Sequence, residues 1–319
     1  MYVITPKFGI LIIGFNRPSF VIDRLKEIQK LSWAEVKIYV SLDFPRIGNS
    51  QDQENYEEIK ESLGALNTNS SLQLLLENSN KGCDVHIPSA ISKVFRECDG
   101  VLVIEDDISI NVSEVENILQ FAVMNYNEGE TKPIVSMSGL AGDNLLRFNR
   151  WRKTSYFTAW GYFLFKDFWT LHKQISECSE PNIQSLLKRS TSWERLGRRK
   201  QNIWIERFSR GNYDYRIQRS LFVLDAKVYA PLFRVANNLG FEDSSAAHTR
   251  YPAPLFLRKM VNSSERISKP KRIKNSLIES VLQWLDSNSW AGDGIISKRG
   301  RSVGVRSCLK DAIKRLGKI

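Results

Sequence analysis

The first hundred residues alternate between short apolar runs and longer amphipathic stretches. Each apolar run is rich in aliphatic side chains and short enough for a buried strand, and the stretches between the runs repeat apolar residues at helical spacing. The predicted strands are 8–14, 36–42, 72–76 and 101–104, and the predicted helices are about 19–31, 52–63 and 88–96. This β-α-β-α-β-α-β order predicts a parallel, right-handed, doubly wound sheet.

Beyond the fourth predicted strand the pattern is less regular. Ser113 and Glu116 form a capping-box pattern, which predicts a helix of about 114–126. The segment 133–169 is strand-like and aromatic, and we expect most of its rings to lie in the core. The basic, polar segment 187–211 is typical of exposed helix or loop.

The composition is that of an ordinary globular protein. The 319 residues are 42% hydrophobic and 25% charged, and a chain of this length can bury a sizeable core. The four cysteines lack C-x-x-C spacing, so neither a zinc ribbon nor a disulfide framework is indicated. No apolar stretch approaches the roughly 18 residues of a transmembrane helix, and the run 8–15 lacks the flanks of a signal peptide. We therefore expect a cytoplasmic protein.

The positive charge is concentrated near the C-terminus. The net charge is +11, and the chain from Pro252 onward carries 15 Lys or Arg against 5 Asp or Glu. Two amphipathic segments, 277–285 and 305–316, lie in this part, and the second has a basic side that would suit an anionic lipid surface. A packed helix with a solvated basic side explains the same pattern. Peripheral contact with the inner face of a membrane is thus one expectation, and nucleic acid is not an expected partner.

Three carboxylates, Glu105, Asp106 and Asp107, end the fourth predicted strand, and we call them the triple acid. Ligands in open α/β sheets bind at the carboxyl ends of strands. Adjacent carboxylates raise one another's pKa, so a divalent cation with oxygen ligands would stabilise their ionised forms. A structural role in capping the next helix is the alternative. A Walker B strand has a similar pattern, but the chain contains neither G-x-x-x-x-G-K-[ST] nor G-x-G-x-x-G.

Two further residues are predicted to lie at the same edge of the sheet. Arg17 follows the first predicted strand and Asp43 ends the second. An arginine can bind a diphosphate through its fork of donors, and an aspartate can accept a hydrogen bond from a nucleobase N–H or a ribose hydroxyl. Each could instead be an ordinary surface turn residue.

An ordered series of motifs extends these observations from about residue 8 to 250, and together the motifs resemble the GT-A fold glycosyltransferases. The closest resemblance is to the branch that contains the N-acetylglucosaminyltransferase I type enzymes and their bacterial relatives. The motifs are Leu11-Ile-Ile-Gly-Phe-Asn-Arg-Pro18, Ser41-Leu-Asp43, Val103-Ile-Glu-Asp-Asp-Ile108, Val135-Ser-Met-Ser138, Tyr156-Phe-Thr-Ala-Trp-Gly-Tyr162, Tyr213-Asp-Tyr-Arg-Ile-Gln218, Asn237-Asn-Leu-Gly-Phe241 and Ala247-His-Thr249.

The resemblance implies a role for each residue on the donor side. Asp107 matches the last acid of the family's metal-binding motif, which holds Mn2+ (or Mg2+) together with the donor diphosphate. Asp106 and Glu105 match acids that face the donor ribose and sugar. Asp43 matches the acid that reads uracil, and Arg17 matches an arginine near the diphosphate.

The resemblance also implies residues for the other side of the reaction. Asp214 matches the catalytic base of inverting members, although capping a helix is the structural alternative for this residue. Tyr215-Arg216 stands where the family often has a second acid or a tryptophan. His248 matches a histidine that contacts metal or phosphate in some members, or is structural, and His86 is expected near the nucleobase.

The sequence thus predicts a GT-A type α/β fold whose sheet is mostly parallel, with a mixed acceptor-side half. The expected parts are a nucleotide-sugar-binding half (1–110), an acceptor and catalytic half (111–251) and a basic extension (252–319). The predicted activity is metal-dependent transfer of a hexose from a UDP-sugar to a glycan or lipid-linked glycan, with inversion. Two alternatives stay open: a sugar nucleotidyltransferase, which would normally show a Gly-rich N-terminal loop, and a non-enzymatic adaptor that binds membrane or nucleic acid through the basic extension.

Overall fold

The computed structural model describes residues 6–33, 36–66, 72–110, 112–126, 134–136, 150–231, 236–241 and 271–272. The described strands are β1 (Phe8–Gly14), β2 (Lys37–Leu42), β3 (Leu72–Leu76), β4 (Gly100–Glu105), β5 (Ile108–Ile110), β6 (Ile134–Ser136), β7 (Arg150–Thr154), β8 (Tyr162–Phe165), β9 (Val228–Pro231), β10 (Ala236–Asn238) and β11 (Lys271–Arg272). The described helices are α1 (Pro18–Ile28), α2 (Ser50–Leu66), α3 (Cys83–Val94), α4 (Val112–Tyr126), α5 (Lys166–Glu177), α6 (Glu180–Lys188), α7 (Thr191–Glu194), α8 (Arg198–Ser209) and α9 (Tyr213–Val223), with a 3-10 turn at Leu239–Phe241.

One nine-stranded sheet runs through both predicted halves, in the order β11-β7-β9-β6-β8-β4-β1-β2-β3. The strands β4, β1, β2 and β3 are parallel to their neighbours within this group. β8 runs antiparallel to both β4 and β6, so the sheet becomes mixed on that side. The predicted α/β class, with a parallel half and a mixed half, is confirmed. The boundaries at residues 110 and 251 stay predictions.

The central strand β1 is buried on both faces, as its continuous apolar run predicts. Ile10 and Ile12 pack on one side with residues of α1, α2 and α4. Leu11 and Ile13 pack on the other side with residues of α3, α5 and α9. This alternation follows from the two-residue period of a strand and produces a sheet between two helical layers.

Helix α3 begins at Cys83, earlier than the predicted start near Pro88, and Pro88 lies inside it. Proline has no N–H to donate to the carbonyl four residues before it, which here belongs to Asp84. The guanidinium of Arg216, on α9, donates a hydrogen bond to that carbonyl instead. A contact between distant parts of the chain thus satisfies the acceptor that the proline leaves open.

Two other predicted elements differ from the structure. Helix α4 begins at Val112, so Ser113 lies inside the helix, and Glu116 accepts a hydrogen bond from the Ser32 N–H (3.4 Å). The predicted strand-like segment 133–169 ends in the first turn of α5. The aromatic side chains of this segment that were expected in the core are largely buried there, as predicted; they include Tyr156, Phe157, Tyr162, Phe163, Phe165, Phe168 and Trp169.

Helices α5 to α8 form an insertion between β8 and α9, which we call the helical insert. The helical insert packs on α9 through a separate apolar core, in which Phe222 of α9 takes part. The other buried members of that core are Tyr156, Ile183, Leu187, Trp193, Leu196, Trp204 and Phe208. The basic segment that was predicted to be exposed helix or loop falls in this insert.

Within the described part of the chain, no helix combines the length and the apolar character needed to cross a membrane. His248 and the amphipathic segments 277–285 and 305–316 lie outside the described residues.

Candidate active site

The carboxyl ends of β1, β2 and β4 meet at one edge of the sheet. The N–H of Asp43 donates to the carbonyl of Gly14 (3.2 Å), and the N–H of Asp106 donates to the carbonyl of Ile13 (2.9 Å). These bonds extend the parallel pairing just beyond the strands. The structure therefore places Arg17, Asp43 and the triple acid at the common edge that the strand order predicts.

Arg17 forms the main ion pairs of the triple acid. Its guanidinium makes a bidentate contact with the carboxylate of Asp106, one arm of which is the Nε–Oδ2 bond of 3.2 Å. Its Nη1 also lies 3.2 Å from Oδ2 of Asp107. The sequence indicated that the triple acid needs a positive counter-charge. Within the protein, Arg17, the arginine expected near the diphosphate, supplies that charge.

Asp106 is buried under this contact, with 3% of its surface exposed. Burial raises the pKa of Asp106 to about 6, while the charge of Arg17 opposes the rise and the charge of Asp107 adds to it. Because both of its carboxylate oxygens contact Arg17, Asp106 is poorly placed to bind a ligand directly. Its geometry is that of a residue that orients Arg17 at the mouth of the site.

Glu105 is held from the other half of the chain. The hydroxyl of Tyr213 donates a hydrogen bond to its Oε1 (2.6 Å). Burial raises the pKa of Glu105 to about 8, and the charges of Asp107 and Asp214 also raise it. Below that pH the carboxyl is protonated, so Glu105 is a hydrogen-bond donor as well as an acceptor at neutral pH.

Asp214 lies in the first turn of α9, directly after Tyr213, and is partly buried. Burial raises the pKa of Asp214, the backbone N–H of Tyr215 lowers it through a 2.8 Å hydrogen bond, and Asp84 raises it. The carboxylate of Asp84 accepts a hydrogen bond from the Tyr213 N–H (2.7 Å), which joins the first turns of α3 and α9. The predicted base and the triple acid therefore belong to one site.

Asp43 is almost fully buried, and backbone groups surround its carboxylate. It accepts hydrogen bonds from the N–H groups of Lys81 (2.9 Å), Gly82 (2.8 Å) and its neighbour Phe44 (3.0 Å). These donors tie the loop after β3 to the end of β2. A carboxylate offers about four acceptor positions, so these donors occupy most of them, and the expected contact of Asp43 with a nucleobase stays a prediction.

His86 lies in the core behind Asp43. Its Nε2 is 2.8 Å from the hydroxyl of Ser41, and 2% of its surface is exposed. Burial lowers the pKa of His86, although the charge of Asp43 opposes this. The structure thus places His86 as a buried, hydrogen-bonded side chain, and its contact with a nucleobase stays a prediction.

The donor chemistry of the site fits a metal that binds through few protein oxygens. In the described ranges, no group of three or more His, Cys, Asp or Glu side chains is arranged to hold a metal ion. Asp107 is only partly buried and presents a carboxylate oxygen at the edge of the site. Mg2+ and similar cations are often held by one or two carboxylates together with substrate phosphates. Asp107 with a diphosphate matches that pattern, and the predicted ligand His248 lies outside the described residues.

Three residues of the site were not among the predicted functional residues. Tyr213 and Asp84 join α9 to the triple acid and to α3, as described above. Gly240 lies against Asp107: a Cβ at that position would be 2.5 Å from Oδ2 of Asp107. The motif Asn237-Asn-Leu-Gly-Phe241 pointed to this glycine in the sequence. The hydrogen bonds from Tyr213 to Glu105 and to Asp84 join distant parts of the chain, and no sequence pattern indicated them.

The chain is similar to known proteins in structure but not in sequence. The chain matches no protein-family model and no curated protein. Among solved structures, the mannosyltransferase PcManGT from Pyrobaculum calidifontis, in complex with GDP-Man and Mn2+, aligns with 68% of this chain and 70% of its own at 11% identity and a TM-score of 0.36.

Two further solved structures give similar values. The alignment with TarS 1-349 from S. aureus covers 70% of this chain and 57% of the TarS chain, at 13% identity and a TM-score of 0.37. An active-site mutant of LgtC aligns with 70% of this chain and 72% of its own at 12% identity and a TM-score of 0.34. These likenesses do not assign a function, which depends on the residues of the site.

Proposed function

We propose that the protein is a metal-dependent glycosyltransferase that moves a sugar from a nucleotide sugar to the hydroxyl of an acceptor. The observation that carries this proposal is the 2.6 Å hydrogen bond from Tyr213 to Glu105. Because Asp214 follows Tyr213, this contact brings a carboxylate with a raised pKa next to the acids at the sheet edge. A donor site and a general base are the two parts that glycosyl transfer needs.

On the donor side, Arg17 and Asp107 would face the diphosphate. Asp106 holds the guanidinium of Arg17 in place, and a guanidinium can bind phosphate oxygens through two parallel hydrogen bonds. Asp107 would hold Mn2+ or Mg2+, which when bound neutralises negative charge on the departing diphosphate. Arg17 would then exchange its contact with Asp107 for a contact with phosphate.

Glu105 and Asp43 would orient the remainder of the donor. Glu105, held by Tyr213, can form a hydrogen bond with a hydroxyl group of the ribose or the sugar. The remaining acceptor position of Asp43 would take the N–H of a uracil. A UDP-sugar is accordingly the donor that we propose.

On the acceptor side, Asp214 would accept the proton of the attacking hydroxyl. The acceptor oxygen forms a bond to the anomeric carbon while the bond from that carbon to the diphosphate oxygen breaks, and the diphosphate leaves with the bonding electrons. Direct attack of this kind inverts the anomeric centre. A positioned general base typically contributes about 10²–10⁴-fold to the rate.

The family that we propose is that of the GT-A glycosyltransferases, most similar to the N-acetylglucosaminyltransferase I type branch. The motifs that support it begin with Leu11-Ile-Ile-Gly-Phe-Asn-Arg-Pro18 and include the triple acid and the Tyr213-Asp214 pair. We propose a hexose as the transferred sugar, a glycan or lipid-linked glycan as the acceptor, and a cytoplasmic site of action with peripheral membrane contact through the basic extension.

A thermal-shift panel tests this proposal. Purified protein is heated with UDP-sugars, GDP-sugars and nucleoside triphosphates, each with and without Mn2+. We expect a UDP-sugar to raise Tm only when Mn2+ is present, and Asp107→Asn to abolish the effect while the exposed control Asp23→Asn keeps it. The donor assignment is wrong if no UDP-sugar stabilises the wild type in a metal-dependent way. Metal-dependent stabilisation by a nucleoside triphosphate, without an effect of UDP-sugars, would favour a nucleotidyltransferase.

A further inference from the structure

A dense positive charge lies on the helical insert. Residues 188–210 contain eight Lys or Arg against two Glu. Six of these cationic side chains are exposed, and we call them the basic surface: Lys188, Arg189, Arg195, Arg198, Arg199 and Arg210. None of the roles proposed above uses them.

The insert holds this surface in a fixed position relative to the catalytic helix. Trp193, Leu196, Trp204 and Phe208 point inward and pack with Phe222 of α9. Since these apolar residues occupy the inner side of the segment, the charged residues between them face outward. The basic surface is therefore attached to the same helix that carries Asp214.

Cationic side chains of this region lie close enough to affect one another. Burial lowers the pKa of Lys227; the charge of Asp225 opposes this, and the charge of Arg195 adds to it. Burial likewise lowers the pKa of Arg207, where the charge of Arg210 adds to the shift and that of Glu206 opposes it. An anion bound among the exposed cations would be stabilised by their charge.

Arg207 connects the basic surface to the proposed base. Its guanidinium lies 4.9 Å from the ring centroid of Trp204, whose indole meets Tyr215 edge-on at 6.2 Å. The charge of Arg207 lowers the pKa of Asp214, so the two side chains are close enough to interact. The insert thus places one cation close to the residue that would deprotonate the acceptor.

We propose that the basic surface binds the acceptor and that the acceptor is an acidic saccharide chain. This proposal rests on the glycosyltransferase function proposed above. Arginine predominates over lysine on the surface, and its guanidinium pairs in a bidentate manner with phosphate or carboxylate groups. Within residues 188–210, Ile205 is the one large apolar side chain that is clearly exposed, at 44%, which is little apolar area for insertion into lipid. The charge therefore favours a soluble acidic glycan as the occupant.

Direct binding of a heparin oligosaccharide, used as an acidic saccharide probe, tests this proposal. The variant Arg198→Glu/Arg199→Glu reverses two exposed charges in the first turn of α8, where the helix dipole favours acidic side chains, so the fold should be retained. The matched control Lys26→Glu/Lys30→Glu makes the same change in net charge at exposed positions on and just after α1. A neutral maltooligosaccharide, phosphatidylglycerol vesicles and a single-stranded oligonucleotide complete the set.

We expect the heparin oligosaccharide to bind in a salt-dependent way, and the α8 variant to weaken binding by roughly tenfold, which is the lower end of the effect of a focused surface potential on association. The control should stay within about twofold of the wild type, and the maltooligosaccharide should not bind. Equal weakening in both variants, preferred binding of the oligonucleotide, or vesicle binding that only the α8 variant weakens would overturn the proposal. Stabilisation by UDP-sugar and Mn2+ is measured on the same samples. If the wild type shows heparin binding without this stabilisation, the donor site is contradicted, whereas stabilisation without heparin binding by the wild type contradicts the basic surface.

Discussion

Replacing Tyr213 by Phe removes one oxygen atom from the centre of the proposed site and leaves the buried ring in place. The lost hydroxyl donates the 2.6 Å hydrogen bond to Glu105, which joins α9 to the end of β4. Below pH 8 the Glu105 carboxyl is protonated, so the bond joins two neutral groups, and such a bond typically contributes about 0.5–1.5 kcal/mol. Leaving the carboxyl without this partner adds a desolvation cost of about 1 kcal/mol or more.

We therefore expect Tyr213→Phe to lower the free energy of unfolding at pH 7 by about 1–2 kcal/mol, which for a chain of this size corresponds to a fall in Tm of a few degrees. Turnover should fall by about tenfold, the equivalent of roughly 1.4 kcal/mol, because the first turn of α9 no longer holds Asp214 against the triple acid. The assays are a thermal melt and release of UDP from a donor sugar.

Tyr162 offers a control, since its ring is fully buried and its hydroxyl, which lies near Tyr213 and Glu105, makes no hydrogen bond of good geometry among the described residues. Removing an unsatisfied buried hydroxyl should leave Tm unchanged or raise it, so Tyr162→Phe and Tyr213→Phe are expected to differ in sign. Equal shifts in Tm for the two variants, or wild-type turnover in Tyr213→Phe, would refute the reasoning.

Three further predictions concern single residues. Stability should fall as the pH drops from about 6.5 towards 3, because burial lowers the pKa of His172 to about 3 and this histidine takes up its proton only on unfolding; His172→Gln should flatten the plot of Tm against pH in that range. Asp43→Asn should lower the urea midpoint by an amount equivalent to about 1–3 kcal/mol, because the charge that accepts the backbone N–H groups of the loop after β3 is lost. Gly240→Ala should weaken Mn2+-dependent donor binding in a thermal-shift titration, since its Cβ would lie 2.5 Å from the Asp107 carboxylate, whereas Gly64→Ala, with no atom within 4 Å, should not.

The local pattern predicted the parallel half of the fold well. The strands β1 and β3 begin and end where their apolar runs do, β2 begins one residue later than predicted, and β4 is one residue longer at each end. The common edge of Arg17, Asp43 and the triple acid followed from the strand order, because parallel strands share their carboxyl ends.

Contacts between distant residues could not be read from the pattern. Helix α3 begins before Pro88, and Arg216, which lies far along the chain, donates to the carbonyl that this proline leaves without its helical partner. The sequence indicated that the triple acid needs a counter-charge, but it could not show that Arg17 contacts Asp106 directly. In the same way, three backbone N–H groups donate hydrogen bonds to the carboxylate of Asp43. These bonds depend on the path of the loop after β3, which residue types alone do not determine.

The most direct test of the central claim is donor turnover by Asp214→Asn, measured as release of UDP from a UDP-sugar in the presence of Mn2+, with water as the acceptor. The wild type should release UDP slowly and only with metal. The variant should keep metal-dependent donor binding in a thermal-shift titration and lose turnover by about 10²–10⁴-fold, the contribution of a positioned general base. Wild-type turnover in Asp214→Asn would contradict the account, because the site at the edge of the sheet would then work without the base that Tyr213 holds beside it.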